Sequence, residues 1–90
     1  MNNRPRWQDG MEVTILLGSS SDMPVAEKCT KILKQFDVSY QSRVASAHRS
    51  PKFVEQIIHD AEADGCMVFI AMAGLAAALP GAVAALTTKP

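Results

Sequence analysis

The sequence predicts an α/β fold, a parallel sheet with helices on both of its faces. Short apolar runs alternate with amphipathic stretches in the order βαβαβα. The segments between successive strands are long enough for right-handed helical crossovers, which place helices against the sheet. A chain of 90 residues with 48% hydrophobic content suits one small globular domain and is too short for two.

The first βα unit begins with Glu12 to Leu17, an aliphatic and β-branched run that predicts a buried strand. The first helix is expected from Met23 to Phe36, with Asp22 or Ser21 as its cap and Pro24 in its first turn. Helical spacing predicts one buried apolar face, made of Val25, Cys29, Ile32, Leu33 and Phe36.

The second unit begins with Val38 to Val44, where apolar and polar residues alternate as in a strand near a sheet edge. Pro51 is expected to begin the second helix, with Ser50 as its cap, and Asp64 and Gly65 to end it. The apolar stripe of this helix is predicted to be Phe53, Val54, Ile57, Ile58 and Ala61.

The third unit begins with Met67 to Met72, an uninterrupted apolar run typical of a central parallel strand covered on both faces. Pro80 is expected to be the first residue of a third helix, which carries Val83 and Leu86 and runs to about Thr87. The last three residues then resemble the approach to a fourth strand, so the sheet is expected to be unfinished after its third βα unit.

Charge and hydropathy exclude several classes of function. Nine basic residues balance nine acidic ones, so the chain has no general field to attract nucleic acid or an anionic membrane. Residues 65–88 are uncharged and long enough to cross a bilayer, but Gly74, Pro80 and Gly81 interrupt them. A buried strand, a glycine turn and a helix explain the same residues, and we favour that interpretation over a membrane span.

The cysteines and histidines lack the spacing of metal or redox motifs. Cys29 and Cys66 have no CxxC or Cys/His companion and are predicted to be reduced, buried, small apolar residues. His59 lies off the apolar stripe of its helix and is interpreted as solvated surface. We therefore expect no metal ion.

Three loops follow the three strands, and ligands of such sheets bind outside the carboxyl ends of the strands. The first loop, residues 18–22 (GSSSD), offers backbone N–H groups and hydroxyls at a helix N-terminus, where an anion such as phosphate is favoured. It has no P-loop or dinucleotide-binding pattern. A capping turn without a ligand explains these residues equally well, and Asp22 suits either capping or a ribose hydroxyl.

The second loop contains the residues best suited to proton transfer and anion recognition. His48 has a side chain that titrates near neutral pH, and Arg49 can make two parallel hydrogen bonds to a phosphate or carboxylate. Taken alone, a loop histidine is more often a surface residue. In the third loop, Gly74 allows a backbone to approach a planar ligand, although tight helix packing explains that glycine equally well.

Together the three loops, from Val13 to Pro90, resemble the N-terminal half of the 5-(carboxyamino)imidazole ribonucleotide mutase family of purine biosynthesis. The matching motifs are GSSSD at 18–22, SAHRSP at 46–51 and AGLAAALPG at 73–81. Three ordered motifs at matching spacing are more specific than any one of them. They resemble the bacterial-type mutase branch rather than the animal-type carboxylase, where a Lys after the His and an AGRSN-like loop are expected.

The resemblance implies a flavodoxin-like three-layer fold, an octameric assembly and a cytoplasmic enzyme that uses no cofactor or metal. It implies an isomerase that moves a carboxylate from the exocyclic nitrogen to C4 of an aminoimidazole ribonucleotide, through release and recapture of CO2. His48 matches the family's general acid/base. The positions that match substrate-binding residues or accompany them in the same loops are Ser19, Asp22, Arg49, Ser21, Ser46 and Gly74.

The same resemblance frames the domain prediction and its alternatives. Residues 1–10 are expected to be a flexible extension, and residues 11–90 the N-terminal part of a single mutase or carboxylase domain. Ala78 stands where family members commonly have His, which favours a non-catalytic phosphate-ligand binding module as one alternative. The others are an inactive truncated product and a lyase that carboxylates the aminoimidazole ribonucleotide directly.

Overall fold

The computed structural model describes residues 11–46, 51–74 and 78–90. Three strands and three helices alternate along the chain, as the apolar pattern predicts. A short 3-10 turn, Ser20–Asp22, precedes the first helix. The elements are β1 (Val13–Leu17), α1 (Met23–Gln35), β2 (Tyr40–Val44), α2 (Pro51–Ala63), β3 (Val68–Met72) and α3 (Ala78–Leu86).

The sheet is parallel throughout, in the order β2-β1-β3. Val13 is aligned with Tyr40 on one side and with Val68 on the other, and this register continues to the ends of the strands. All five residues of β1 are buried, including Thr14, whose hydroxyl accepts a hydrogen bond from Gln41 Nε2 at 3.1 Å. The predicted fold class is therefore confirmed.

The central strand is β1, and the prediction that the third strand is central is wrong for the described residues. β3 pairs only with β1, and Phe69 is its one buried residue. The third strand's apolar sequence resembles that of a central strand, but strand order depends on pairing as well as composition. The edge position predicted for the second strand is confirmed within the described part of the chain, where β2 pairs only with β1.

The open side of β3 is approached by the last residue of the chain. The backbone N–H of Phe69 donates a hydrogen bond to the carbonyl oxygen of Pro90, with 2.7 Å between nitrogen and oxygen. Pro90 thus occupies a position beside β3, opposite β1. A fourth strand at this edge stays a prediction.

Two apolar cores lie on opposite faces of the sheet, which makes the described part a three-layer structure. Side chains alternate along β1, so Ile15 and Leu17 face α1, whereas Leu16 faces the other two helices. The larger core takes its side chains from the second and third βα units, including Ala45, Val54, Ile57, Ile58, Ala61, Cys66, Phe69, Leu79 and Val83.

Helix α1 packs through a narrower face than predicted. Ala26 is its one buried residue, and half-buried Cys29 and Leu33 pack beside it. The predicted burial of three other side chains is wrong, because Val25, Ile32 and Phe36 are 58%, 56% and 73% exposed. At 100° per residue, Ala26, Cys29 and Leu33 share one side of the helix, and the other three residues turn away from the sheet.

The second helix matches the predicted stripe except at Phe53, which is 43% exposed. Pro51 begins α2 as predicted, whereas Ser50, its predicted cap, lies outside the described residues. The helix ends at Ala63, and Gly65 follows with a positive φ of 94°. This left-handed conformation costs glycine little, so the sequence signal for the helix end is explained.

The third helix begins two residues before the predicted start at Pro80 and ends at Leu86 rather than about Thr87. A proline fits at its third residue because the first backbone N–H groups of a helix have no partner within it. Of the two apolar side chains that this helix carries, Val83 is buried, whereas Leu86 is 40% exposed.

The two cysteines are both free thiols but differ in burial. Cys66 is buried as predicted, and its Sγ donates to the carbonyl of Val68 at 3.2 Å. Cys29 is only half-buried, because it lies where the packed side of α1 meets solvent. Across the described ranges, no helix has the length and apolar character needed to cross a membrane.

The conformation at Gly65 predicts opposite effects of alanine at two glycines. Gly65→Ala places a Cβ at φ 94° and should lower the free energy of unfolding by about 1–2 kcal/mol. Gly81→Ala, within α3 and with open space around the new Cβ, should raise it by up to about 1 kcal/mol. Urea denaturation of the two variants measures both, and equal effects would contradict the account of the helix end.

The exposed face of α1 is tested by two isoleucines. Ile15→Ala removes a fully buried side chain and should cost about 2–5 kcal/mol of stability. Ile32→Ala, at a side chain 56% exposed, should cost less than about 1 kcal/mol. Chemical denaturation compares them, and a large loss at Ile32 would show that this face is covered in the folded chain.

Candidate functional site

The three loops that follow the strands start from one hydrogen-bonded edge of the sheet. The backbone N–H of Gly18 donates to the carbonyl of Met72 at 2.9 Å, and that of Ala45 donates to the carbonyl of Leu17 at 2.8 Å. The carboxyl ends of all three strands are thereby fixed together. This is the edge at which ligands bind in parallel α/β sheets.

The first loop is held by its own hydrogen bonds. Ser19 has an extended backbone, and its N–H donates to Asp22 Oδ2 at 3.1 Å. The N–H of Asp22 donates back to the carbonyl of Ser19 at 3.1 Å, and the hydroxyls of Ser19 and Ser21 lie 2.5 Å apart. Asp22 occupies the N-cap position of α1 but makes no side-chain cap bond to that helix. Its carboxylate fixes the loop instead.

The predicted side-chain capping of α1 by Asp22 is therefore wrong, because its carboxylate bonds the N–H of Ser19 in the 3-10 turn instead. The carboxylate holds the shape of the turn, while the side chains of Ser19, Ser20 and Ser21 are exposed. A turn that is stabilised internally can present its hydroxyls without rearranging when a ligand binds. Holding the turn and binding a ligand are thus compatible functions of one loop.

A hollow of about 600 Å³ lies between the first loop, the end of β2 and the start of α2. Ser19 and Ser46, both predicted site residues, line it together. Its described lining is Gly18, Ser19, Ser20, Val44, Ala45, Ser46 and Phe53. The position agrees with the predicted crevice beyond the strand ends, and the volume suits a small organic ligand.

Two of the predicted residues have no structural description. His48 and Arg49 lie outside the described residues, so their roles stay predictions. The segment that contains them joins Ser46, in the lining of the hollow, to Pro51 at the start of α2. The chain on both sides of it is therefore fixed beside the hollow.

Gly74 lies two residues beyond the end of β3 and is exposed. A Cβ built on it meets nothing within 4 Å, so close packing against the described residues does not require a glycine there. The described residues do not bring Gly74 into the lining of the hollow. Among those residues, no group of three His, Cys, Asp or Glu side chains could hold a metal ion.

Sequence reasoning missed the apolar part of the hollow. Phe53 was assigned to the core stripe of α2, but its ring lines the hollow, and the guanidinium carbon of Arg43 lies 5.7 Å from the ring centroid. The available signal was its position one residue before Val54, at the margin of the buried stripe.

A second hollow, between α2 and α3, is lined by Lys52, Glu55, Gln56, Ile58, His59, Glu62 and Leu86.

Comparison with known proteins gives matches over nearly all of the described chain. A relative from Methanocaldococcus jannaschii, an N5-carboxyaminoimidazole ribonucleotide mutase, is 58% identical over 78 residues, which cover 87% of this chain and 48% of the relative. A relative of the same name from Vibrio parahaemolyticus is 45% identical over 80 residues, which cover 89% of this chain and 50% of the relative.

The crystal structure of Treponema denticola PurE has the same fold, with a TM-score of 0.75 and 42% sequence identity. The match covers 79% of this chain and 46% of that one. The chain thus spans about half the length of these relatives. Residues 12–90 match the model of the AIR carboxylase family, and the chain belongs to that family.

Proposed function

We propose that residues 11–90 are the N-terminal part of a single domain, and that the whole domain is an N5-carboxyaminoimidazole ribonucleotide mutase of purine biosynthesis. The observation that carries the proposal is the hollow in which Ser19 and Ser46, from two separate motifs, line one surface. The names of the two relatives support the reaction. The family resemblance supports a cytoplasmic homo-octamer that works without a cofactor.

The hollow suits a small phosphorylated ligand. The first loop presents exposed hydroxyls just before α1, where the partial positive charge of the helix end favours phosphate oxygens. In the proposed complex, Ser19, Asp22 and Arg49 bind the ribose phosphate part, with Asp22 accepting from a ribose hydroxyl, and Ser21 and Ser46 assist them. Gly74 is assigned to the substrate site on the family resemblance, and the described residues leave open space around it.

The proposed reaction breaks a nitrogen–carbon bond and forms a carbon–carbon bond. The N-carboxylate leaves as CO2, and the exocyclic nitrogen that is left takes a proton from His48. C4 of the ring then attacks the CO2, and His48 removes the C4 proton, which restores its first protonation state. One histidine thus serves as acid and then as base, a function that suits an imidazole side chain.

The acid/base role predicts a loss of turnover at one of the two histidines only. His48→Asn, made in the protein that contains the whole domain, should lower the rate at which the carboxylate moves between nitrogen and C4. The expected decrease is about 10²–10⁴-fold, because proton transfer is lost. Ligand affinity should stay near that of the wild type. The matched control is His59→Asn, on the outer side of α2, which should keep full turnover.

Isotope exchange or the ultraviolet absorbance of the ring follows this conversion. Wild-type turnover in His48→Asn would refute the assigned role. Binding without any conversion by the wild-type chain would instead support the phosphate-ligand binding module.

The two functions of Asp22 can be separated by two substitutions. Asp22→Ala removes the acceptor of the Ser19 N–H and should cost about 0.5–2 kcal/mol of stability. Asp22→Asn keeps an oxygen acceptor and should retain most of the stability. It should weaken binding of the imidazole ribonucleotide, because a neutral amide oxygen accepts a hydrogen bond from a ribose hydroxyl less strongly than a carboxylate does. Thermal unfolding and calorimetric titration measure the two effects, and unchanged affinity in Asp22→Asn would limit Asp22 to holding the loop.

A further inference from the structure

Phe53 has an exposure that folding does not explain. It is the third residue of α2, and its neighbours Val54 and Ile57 are 1% and 3% exposed, whereas Phe53 is 43% exposed. Its ring lines the hollow rather than the core. A large aromatic side chain kept at the wall of a ligand-sized hollow is typical of a binding surface, because its contact area is not used within the fold.

The lining of the hollow combines polar and apolar groups. Ser19, Ser20 and Ser46 supply hydroxyls, and Val44 and Phe53 supply apolar surface. Val44 is 46% exposed, although it lies in a strand. The lining therefore matches a ligand with an anionic end and a flat ring, and Phe53 is the aromatic group available to contact the ring.

Arg43 restrains the aromatic ring. Alternation along β2 places Arg43 on the same side of the sheet as Ala45, which packs in the core beneath α2. Its guanidinium carbon lies 5.7 Å from the centroid of Phe53, within the range of a cation–π contact. This contact joins the end of β2 to the first turn of α2, the two elements on either side of the segment that contains His48.

We propose that Phe53 is a specificity-determining residue of this hollow, which selects ligands that carry a planar ring, and that Arg43 is a positioning residue that acts through Phe53. The inference rests on the proposed function, since it takes the imidazole ring of the ribonucleotide as the group that Phe53 contacts. The polar loop binds the ribose phosphate, and the aromatic wall distinguishes a ribonucleotide from ribose 5-phosphate.

The test compares two ligands that differ by the ring. Calorimetric titration of the full chain with 5-aminoimidazole-4-carboxylate ribonucleotide and with ribose 5-phosphate measures the contribution of the ring. Phe53→Leu keeps apolar volume but removes the aromatic plane. It should lower the affinity for the ribonucleotide by roughly 3- to 10-fold and leave the affinity for ribose 5-phosphate unchanged. Phe53→Tyr, which keeps the plane, should restore ribonucleotide binding.

The matched control is Phe36→Leu, the same substitution at a side chain 73% exposed beyond the end of α1. It should leave both affinities unchanged. If Phe53→Leu lowers the affinities for the two ligands equally, or lowers neither, the proposed selection of the ring is overturned. Failure of Phe53→Tyr to restore binding would overturn it as well.

The role of Arg43 is tested by coupling. Arg43→Met should lower the affinity for the ribonucleotide by about 2- to 5-fold when Phe53 is present. In the Phe53→Leu variant, the same substitution should lower that affinity no further. Lys34→Met, at an exposed cation in the last turn of α1, controls for the change of net charge. An equal loss of ribonucleotide affinity in the wild-type and Phe53→Leu proteins would show that Arg43 does not act through Phe53. That result would overturn the positioning role of Arg43.

The calorimetric titrations give a different result if the proposed function itself is wrong. A wild-type chain that binds neither ligand overturns the proposed function, and with it the assignment of Phe53. A wild-type chain that binds the ribonucleotide, but is indifferent to Phe53→Leu, overturns the assignment of Phe53 alone.

Discussion

β1 lies between two parallel strands, and this pairing determines where the helices and loops of the described chain lie. Every side chain of β1 is buried, alternately against α1 and against the other two helices. The strand therefore belongs to both cores, and it fixes the register of β2 and β3 at once. Because the three strands end in register, the loops that follow them start side by side.

The candidate site is a consequence of that register. Hydrogen bonds from Gly18 to Met72 and from Ala45 to Leu17 hold the loop starts together, and Asp22 holds the turn that follows β1. The lining of the hollow thus combines hydroxyls, of which those in the first loop are held by its own hydrogen bonds, with apolar surface from Val44 and Phe53. A preorganised site of this kind loses less conformational entropy on binding than a mobile loop would.

The sequence predicted element order and fold class well, because both depend on local patterns. Gly65 and Pro51 mark helix limits through backbone preferences that no tertiary contact needs to supply. The central position expected of the third strand is wrong for the described residues, since the apolar run of β3 resembles that of a central strand whether or not a neighbour covers it.

Burial was mispredicted for a related reason. Helical spacing marks which side chains are apolar, but only packing decides which of them meet the sheet. Ile32 and Phe53 are apolar at helical spacing, yet one faces away from the core and the other lines the hollow. Ser19 and Ser46 line one hollow, as the ends of neighbouring parallel strands lead one to expect, whereas their roles in binding and the positions of His48 and Arg49 stay predictions.

We propose that the hollow beyond β1 and β2 binds the imidazole ribonucleotide, and backbone amide NMR of the complete protein can detect this binding. Titration with 5-aminoimidazole-4-carboxylate ribonucleotide should shift the amide signals of residues 18–20 and 44–46 and leave those of residues 55–62 in place. Shifts confined to residues 55–62, which border the hollow between α2 and α3, or no shifts at saturating ligand, would contradict it.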